Sequence, residues 1–232
     1  MNQTSGIRVE GGLKSALIVD DHPLFCDALS MTLSAAVGFD TVETVGRLDE
    51  AMDHLDGAPA PDVIILDLNL PDVNGLDGLV RLRNMVPTTP IVVVSSMSEP
   101  MLIRSVIRVG AAGYVPKHSS REVFREAFDH IAKGAVFAPE GALPEGDLRN
   151  LPPSQSEEAL IRLSHLTRQQ AKILQLICAG KMNKQIAYEL TIAETTVKAH
   201  VTAIMRKLGV QSRTQAVLMA MEANFDNLLP DT

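Results

Sequence analysis

A chain of 232 residues, 46% hydrophobic and 21% charged, is long enough for two small domains. No stretch approaches the ~20 apolar residues of a membrane span, and the polar, Gly-rich opening MNQTSGIRVEGGLKS lacks the apolar centre of a secretory signal, so the expected location is cytoplasmic. The formal charge of −7 argues against nucleic acid only until it is divided: residues 1–164 carry 13 Lys+Arg and 23 Asp+Glu, whereas 165–213 carry 8 and 2, and the last 19 residues add −3.

In chain order, residues 1–14 read as a flexible tail. From 15 to 133, short apolar runs alternate with amphipathic stretches: ALIVD then 23–36, TVETV then 48–55, DVIILD then 75–84, PIVVVSS then 100–109, AAGYVP then 120–133. Five strand–helix repeats predict a five-stranded parallel, doubly wound sheet with helices on both faces, a flavodoxin-like α/β fold. Cys26 and Cys178 fall in apolar helical patterns and read as reduced core residues. Residues 134–159, dense in Pro, Gly and polar side chains, read as an interdomain linker. An all-α domain is expected over 160–227, and 228–232 as a tail.

The working crevice of such a sheet lies beyond the carboxyl ends of its strands. There the first strand ends in Asp20-Asp21, the third in Asp67, the fourth in Ser95-Ser96, and the fifth runs from Tyr114 towards Lys117. Three crowded carboxylates repel one another, and a hard divalent cation relieves them. Mg²⁺ suits the set because it binds one or two carboxylates, keeps waters and accepts a phosphate oxygen. A phosphoryl group on Asp67 would meet Mg²⁺, the Lys117 amine and the Ser95 hydroxyl. His22, beside the acidic pair, reads as a ring packed at a helix start rather than as a ligand.

With LIVDDHPLF and GAAGYVPK in place, residues 15–133 resemble the receiver domain of bacterial response regulators of the NarL/FixJ class. The resemblance implies that Asp67 accepts a phosphoryl group from a histidine kinase. It implies Asp20, Asp21, Asp67 and the backbone carbonyl of Asn69 as Mg²⁺ ligands, Ser95 and Lys117 as contacts to the phosphoryl oxygens, and Ser95 with Tyr114 as switch residues. An aspartyl-phosphate also forms in some hydrolases. The second acid of a haloacid-dehalogenase-type phosphatase is here Asn69, however, so no enzyme is expected beyond phosphoryl acceptance and slow self-dephosphorylation.

The basic segment parses as helices. Thr167 and Gln170 make a capping-box start, Ile173, Leu174, Leu176 and Ile177 face a core, and Gly180 stops the helix. Asn183 starts a short helix with Ile186, Ala187 and Leu190. After a turn, Val197, Val201, Ile204 and Leu208 form a buried stripe opposite Lys198, Ala199, Thr202 and Arg206, a helix-turn-helix arrangement. TTVKAH, MRKLGV and SRTQAV resemble the LuxR-type DNA-binding domain. That resemblance points Lys198, Ala199 and Thr202 at base edges, and Lys184, Thr195, Thr196, His200, Arg206 and Lys207 at phosphates. It also assigns Ala216, Val217, Ala220 and Met221 on the last helix to pairing two copies on DNA, although the same side chains could complete the monomer core.

The combined expectation is a two-component response regulator. Its phosphorylation on Asp67 by a histidine kinase with Mg²⁺ would alter interdomain arrangement and dimerisation to control promoter binding. The alternative is a phosphorylation-independent DNA-binding regulator that uses its receiver as a protein-interaction module.

Overall fold

The computed structural model describes residues 12–73, 75–143, 152 and 154–222. The chain divides into two compact units, the C-terminal one taking it up from Pro152.

In the N-terminal unit, β1 (Ser15–Val19), β2 (Thr41–Val45), β3 (Val63–Leu66), β4 (Ile91–Ser95) and β5 (Gly113–Pro116) form one parallel sheet in the order β2-β1-β3-β4-β5. The interleaved helices are α1 (Pro23–Thr32), α2 (Leu48–Gly57), α3 (Asp77–Met85), α4 (Pro100–Val109) and α5 (Arg121–Ala132). Strands β3 and β4 are buried at every position because helices cover both faces, so their sequences are apolar without alternation. Strand β2 lies at the edge and is the most exposed, with Thr41, Glu43 and Thr44 in solvent. Helix α1 runs on into a π-helical turn, Leu33–Val37, closed by Gly38 at φ 90°. On one face, Ile18, Val63, Ile65, Val92, Val94 and Val115 pack with Leu29, Leu33, Phe124 and Phe128.

The expected linker is partly built into the fold. After α5 the chain returns along β5: the Phe137 amide donates to the Ala112 carbonyl at 3.2 Å, and the Tyr114 amide to the Phe137 carbonyl at 2.8 Å. A Cβ at position 113 would sit 3.2 Å from the Phe137 carbonyl oxygen, which is why this close approach uses glycine.

The C-terminal unit contains α6 (Gln155–Ser164), α7 (Arg168–Cys178), α8 (Asn183–Glu189), α9 (Glu194–Leu208) and α10 (Arg213–Glu222). Helix α6 starts five residues before the expected domain boundary at 160. Its start is set by a capping box in which the Glu157 amide donates to Ser154 Oγ and the Ser154 amide to Glu157 Oε2. The predicted box at α7 is present, with the Gln170 amide on Thr167 Oγ1 and the Thr167 amide on Gln170 Oε1. Val197, Ile204 and Leu208 are fully buried, whereas Val201 is half-buried. The expected domain end at 227 lies outside the described residues.

Candidate functional site

The order β2-β1-β3 places the reversal of strand order between β1 and β3, so a crevice opens at their carboxyl ends. Asp20 and Asp67 are the residues immediately after those strands, and parallel register brings them level: Val19 pairs with Leu66, and the Asp67 amide donates to the Val19 carbonyl at 2.9 Å. Both are buried, at 4% and 2% exposure, whereas Asp21 faces solvent.

Lys117, just beyond β5, sends its ammonium between them, with Nζ 2.7 Å from Asp20 Oδ2 and 2.7 Å from Asp67 Oδ2. The Phe25 ring of α1 lies against that ammonium, 4.9 Å from its centroid. The Lys117 amide donates to the Ser95 carbonyl at 2.9 Å, which fixes the root of the side chain to β4. Burial pushes the Asp67 carboxyl above the ordinary carboxylate range, against the opposing pull of Lys117. For Lys117, burial alone would lower the pKa. Its hydrogen bonds and charge contacts with Asp20 and Asp67 outweigh that and raise it.

Asp67 Oδ1 is buried and has no hydrogen-bond partner. A buried acceptor without a partner is costly, so this atom marks where something else bonds. Asp20, Asp21, His22 and Asp67 offer ligand atoms that all lie within 4.8 Å of one another. Three carboxylates around one ammonium leave excess negative charge, and the donor set fits a small divalent cation. Asn69 is half-buried two residues beyond Asp67.

Ser95 and Tyr114 are brought to the same end of the sheet, but engage each other's surroundings and not Asp67. The Tyr114 hydroxyl donates to the Met97 carbonyl, and the Met97 amide to Ser95 Oγ at 3.4 Å. Tyr114 is fully buried, and burial holds its phenol protonated despite the Ser95 hydroxyl beside it.

The expectation for His22 is corrected. Its side chain is 61% exposed, not packed, and Nδ1 lies 2.9 Å from both Asp20 Oδ1 and Asp21 Oδ1. The available signal was its position next to two acids. His22 is the N-cap of α1, as a helix start requires, but its ring turns out over Asp20 and Asp21 instead of packing on the helix.

In the C-terminal unit, α8 and α9 are joined by a tight turn in which Thr191 adopts φ 54°. Lys184 on α8 and Thr195, Thr196, Lys198, Ala199, Thr202 and Arg206 on α9 are exposed, and His200 is half-buried. Glu194 pairs with Lys198 at 3.0 Å, and Thr202 Oγ1 donates to the Lys198 carbonyl at 3.0 Å. Lys207 is half-buried, and its ammonium bonds the His165 carbonyl at 2.7 Å and Gln170 Oε1 at 2.8 Å, which ties α9 to the start of α7. On α10, Ala216 and Ala220 are buried at 0% and 3%, which makes them core, not pairing residues. Val217 is half-buried, and the exposed apolar side chains are Met221 and Leu218, the latter missed by the helical pattern.

Residues 16–129 match the response regulator receiver domain, and residues 164–220 match the bacterial regulatory proteins of the luxR family. The glycerol metabolism activator of Pseudomonas putida is 40% identical over 215 residues, covering 90% of this chain and 96% of its own. The nitrate/nitrite response regulator NarP of Escherichia coli is 35% identical over 206 residues, covering 89% and 94%. The structure of an RcsB response regulator–DNA complex superposes with a TM-score of 0.55 over 91% of this chain and 99% of that one, at 20% identity, a likeness of fold. Among the described residues no helix is long and apolar enough to cross a membrane.

Proposed function

Because the chain belongs to the response regulators that join a receiver domain to a LuxR-type DNA-binding domain, we propose that Asp67 is the phosphoryl acceptor of a histidine kinase and that its modification controls promoter binding. The observation that carries this reading is the buried, unpartnered Asp67 Oδ1, set beside an oxygen that Lys117 already holds. A carboxylate oxygen of Asp67 forms the new O–P bond as the N–P bond of the kinase's phosphohistidine breaks. The electron pair of that bond stays on the departing imidazole, which takes up a proton. Asp20, Asp21, Asp67 and the Asn69 carbonyl would hold Mg²⁺. Bound there, the cation supplies charge neutralisation for the phosphoryl oxygens.

Lys117 then exchanges a carboxylate oxygen for a phosphoryl oxygen. Ser95 turns to another, leaving the Met97 amide beside the already buried Tyr114. The added negative charge thereby biases a two-state surface on the β4–β5 side. In the DNA-binding unit, Lys198, Ala199 and Thr202 read base edges, and Lys184, Thr195, Thr196, His200 and Arg206 contact phosphates. Two copies pair on DNA through the exposed side of α10, with Met221 and Val217.

The test is intact mass after incubation with a small phosphodonor and Mg²⁺, and with a cognate kinase, for the natural protein and Asp67→Asn. One added phosphoryl group that is absent from the variant is the expected result. No addition from either donor would overturn the reading.

A further inference from the structure

We propose that His22 is a nitrogen ligand of the acidic pocket, and that the pocket therefore binds first-row transition cations more tightly than Mg²⁺. The inference rests on the cation site proposed above and concerns which cation it prefers. The pocket oxygens are divided between two groups. Lys117 occupies Oδ2 of Asp20 and Oδ2 of Asp67, whereas the His22 ring faces Oδ1 of Asp20 and Oδ1 of Asp21. Asp67 Oδ1 is left buried and unpartnered, so the cluster is more than a set of surface acids.

Nδ1 stands 2.9 Å from two of the carboxylates, 4.0 Å from Asp67 Oδ2 and 3.5 Å from Lys117 Nζ. The His22 amide also donates to Asp20 Oδ1 at 2.9 Å, which holds the residue over the pocket. A ring that is 61% exposed has little packing to keep it there, so the carboxylates themselves set its orientation. A cation that enters on the Oδ1 side, leaving Lys117 on the Oδ2 side, would meet carboxylate oxygens and one imidazole nitrogen.

That donor set separates the metals. Mg²⁺ is hard, takes oxygen ligands and gains little from a ring nitrogen, whereas imidazole suits Ni²⁺ and Zn²⁺, whose affinity for mixed N/O sites stands well above that of the early members of the row.

The experiment is calorimetric titration of the full chain with Mg²⁺ alone and with Ni²⁺ alone, for the natural protein, His22→Ala and Asp20→Asn. Circular dichroism melts check that each variant folds. The expected result is that His22→Ala weakens Ni²⁺ binding by about tenfold or more while Mg²⁺ changes by less than about twofold, and that Asp20→Asn weakens both. Equal losses for the two cations, or none for either, in His22→Ala would overturn the nitrogen ligand. Intact Mg²⁺ binding that Asp20→Asn abolishes would then leave the proposed phosphoryl site standing. Binding that ignores Asp20→Asn would remove the carboxylate site, and both readings with it.

Discussion

At the scale of single residues, Asp67 combines burial with a strong partner, and the two act in opposite directions on its proton. Burial wins, so its folded pKa lies above the unfolded value. The unfolded chain then loses this proton first, and stability contributed by the protonated carboxyl is lost as pH rises from the ordinary range near 4 through the raised folded pKa. Asp67→Asn, neutral at every pH, is expected to be more stable to urea than the natural protein at pH 7, with the difference shrinking below that window. Equal pH profiles for the two proteins would show that Asp67 is not strained by its burial. Tyr114, like Ser95, carries a buried polar group of the switch region. Tyr114→Phe removes its bond to the Met97 carbonyl and is expected to cost about 1–2 kcal/mol in urea unfolding, because the carbonyl is left without its donor.

At the scale of elements, helix ends are tied to the pocket. Asp72, in the loop after β3 that begins with Asp67, caps α2 across the chain: its carboxylate accepts from the Leu48 amide at 3.1 Å and the Asp49 amide at 2.9 Å. Asp72→Ala is expected to cost about 1 kcal/mol, the ordinary worth of an N-cap, measured by thermal unfolding. Helix α9 is secured at its far end, where Arg162 Nη1 donates to the Leu208 carbonyl at 3.2 Å and Lys207 reaches the start of α7. Lys207→Met should therefore lower the stability of the C-terminal unit while leaving the salt dependence of DNA binding unchanged, the opposite of a phosphate contact.

At the scale of the whole molecule, the acidic N-terminal part carries the proposed phosphoryl acceptor, and the basic 165–213 segment lies within the luxR-family match. DNA affinity is expected to fall steeply with salt. Lys198→Ala should weaken binding and relax sequence preference, as loss of a base-edge contact would, whereas Arg206→Ala should reduce the slope of log K against log salt by about 1, as loss of one phosphate contact would. A natural protein whose affinity is flat in salt would overturn the basic-face assignment. Sedimentation with a full operator should show two chains bound, and one chain per operator would remove the α10 pairing.

The sequence by itself determined the alternation that makes a parallel sheet, the strand ends that carry Asp20, Asp67, Ser95 and Lys117, and the capping box of α7. Each is a local pattern with a local cause: double burial makes a strand apolar throughout, and a Thr-x-x-Gln pair satisfies helix amides wherever it occurs. Only the tertiary structure decided matters that depend on what lies opposite. The His22 ring turned from the helix start to two carboxylates, Lys207 bonded His165 and Gln170, and Ala216 and Ala220 faced their own core. Phe137 closed onto β5 because an unpaired strand edge offers backbone donors and acceptors that composition does not reveal.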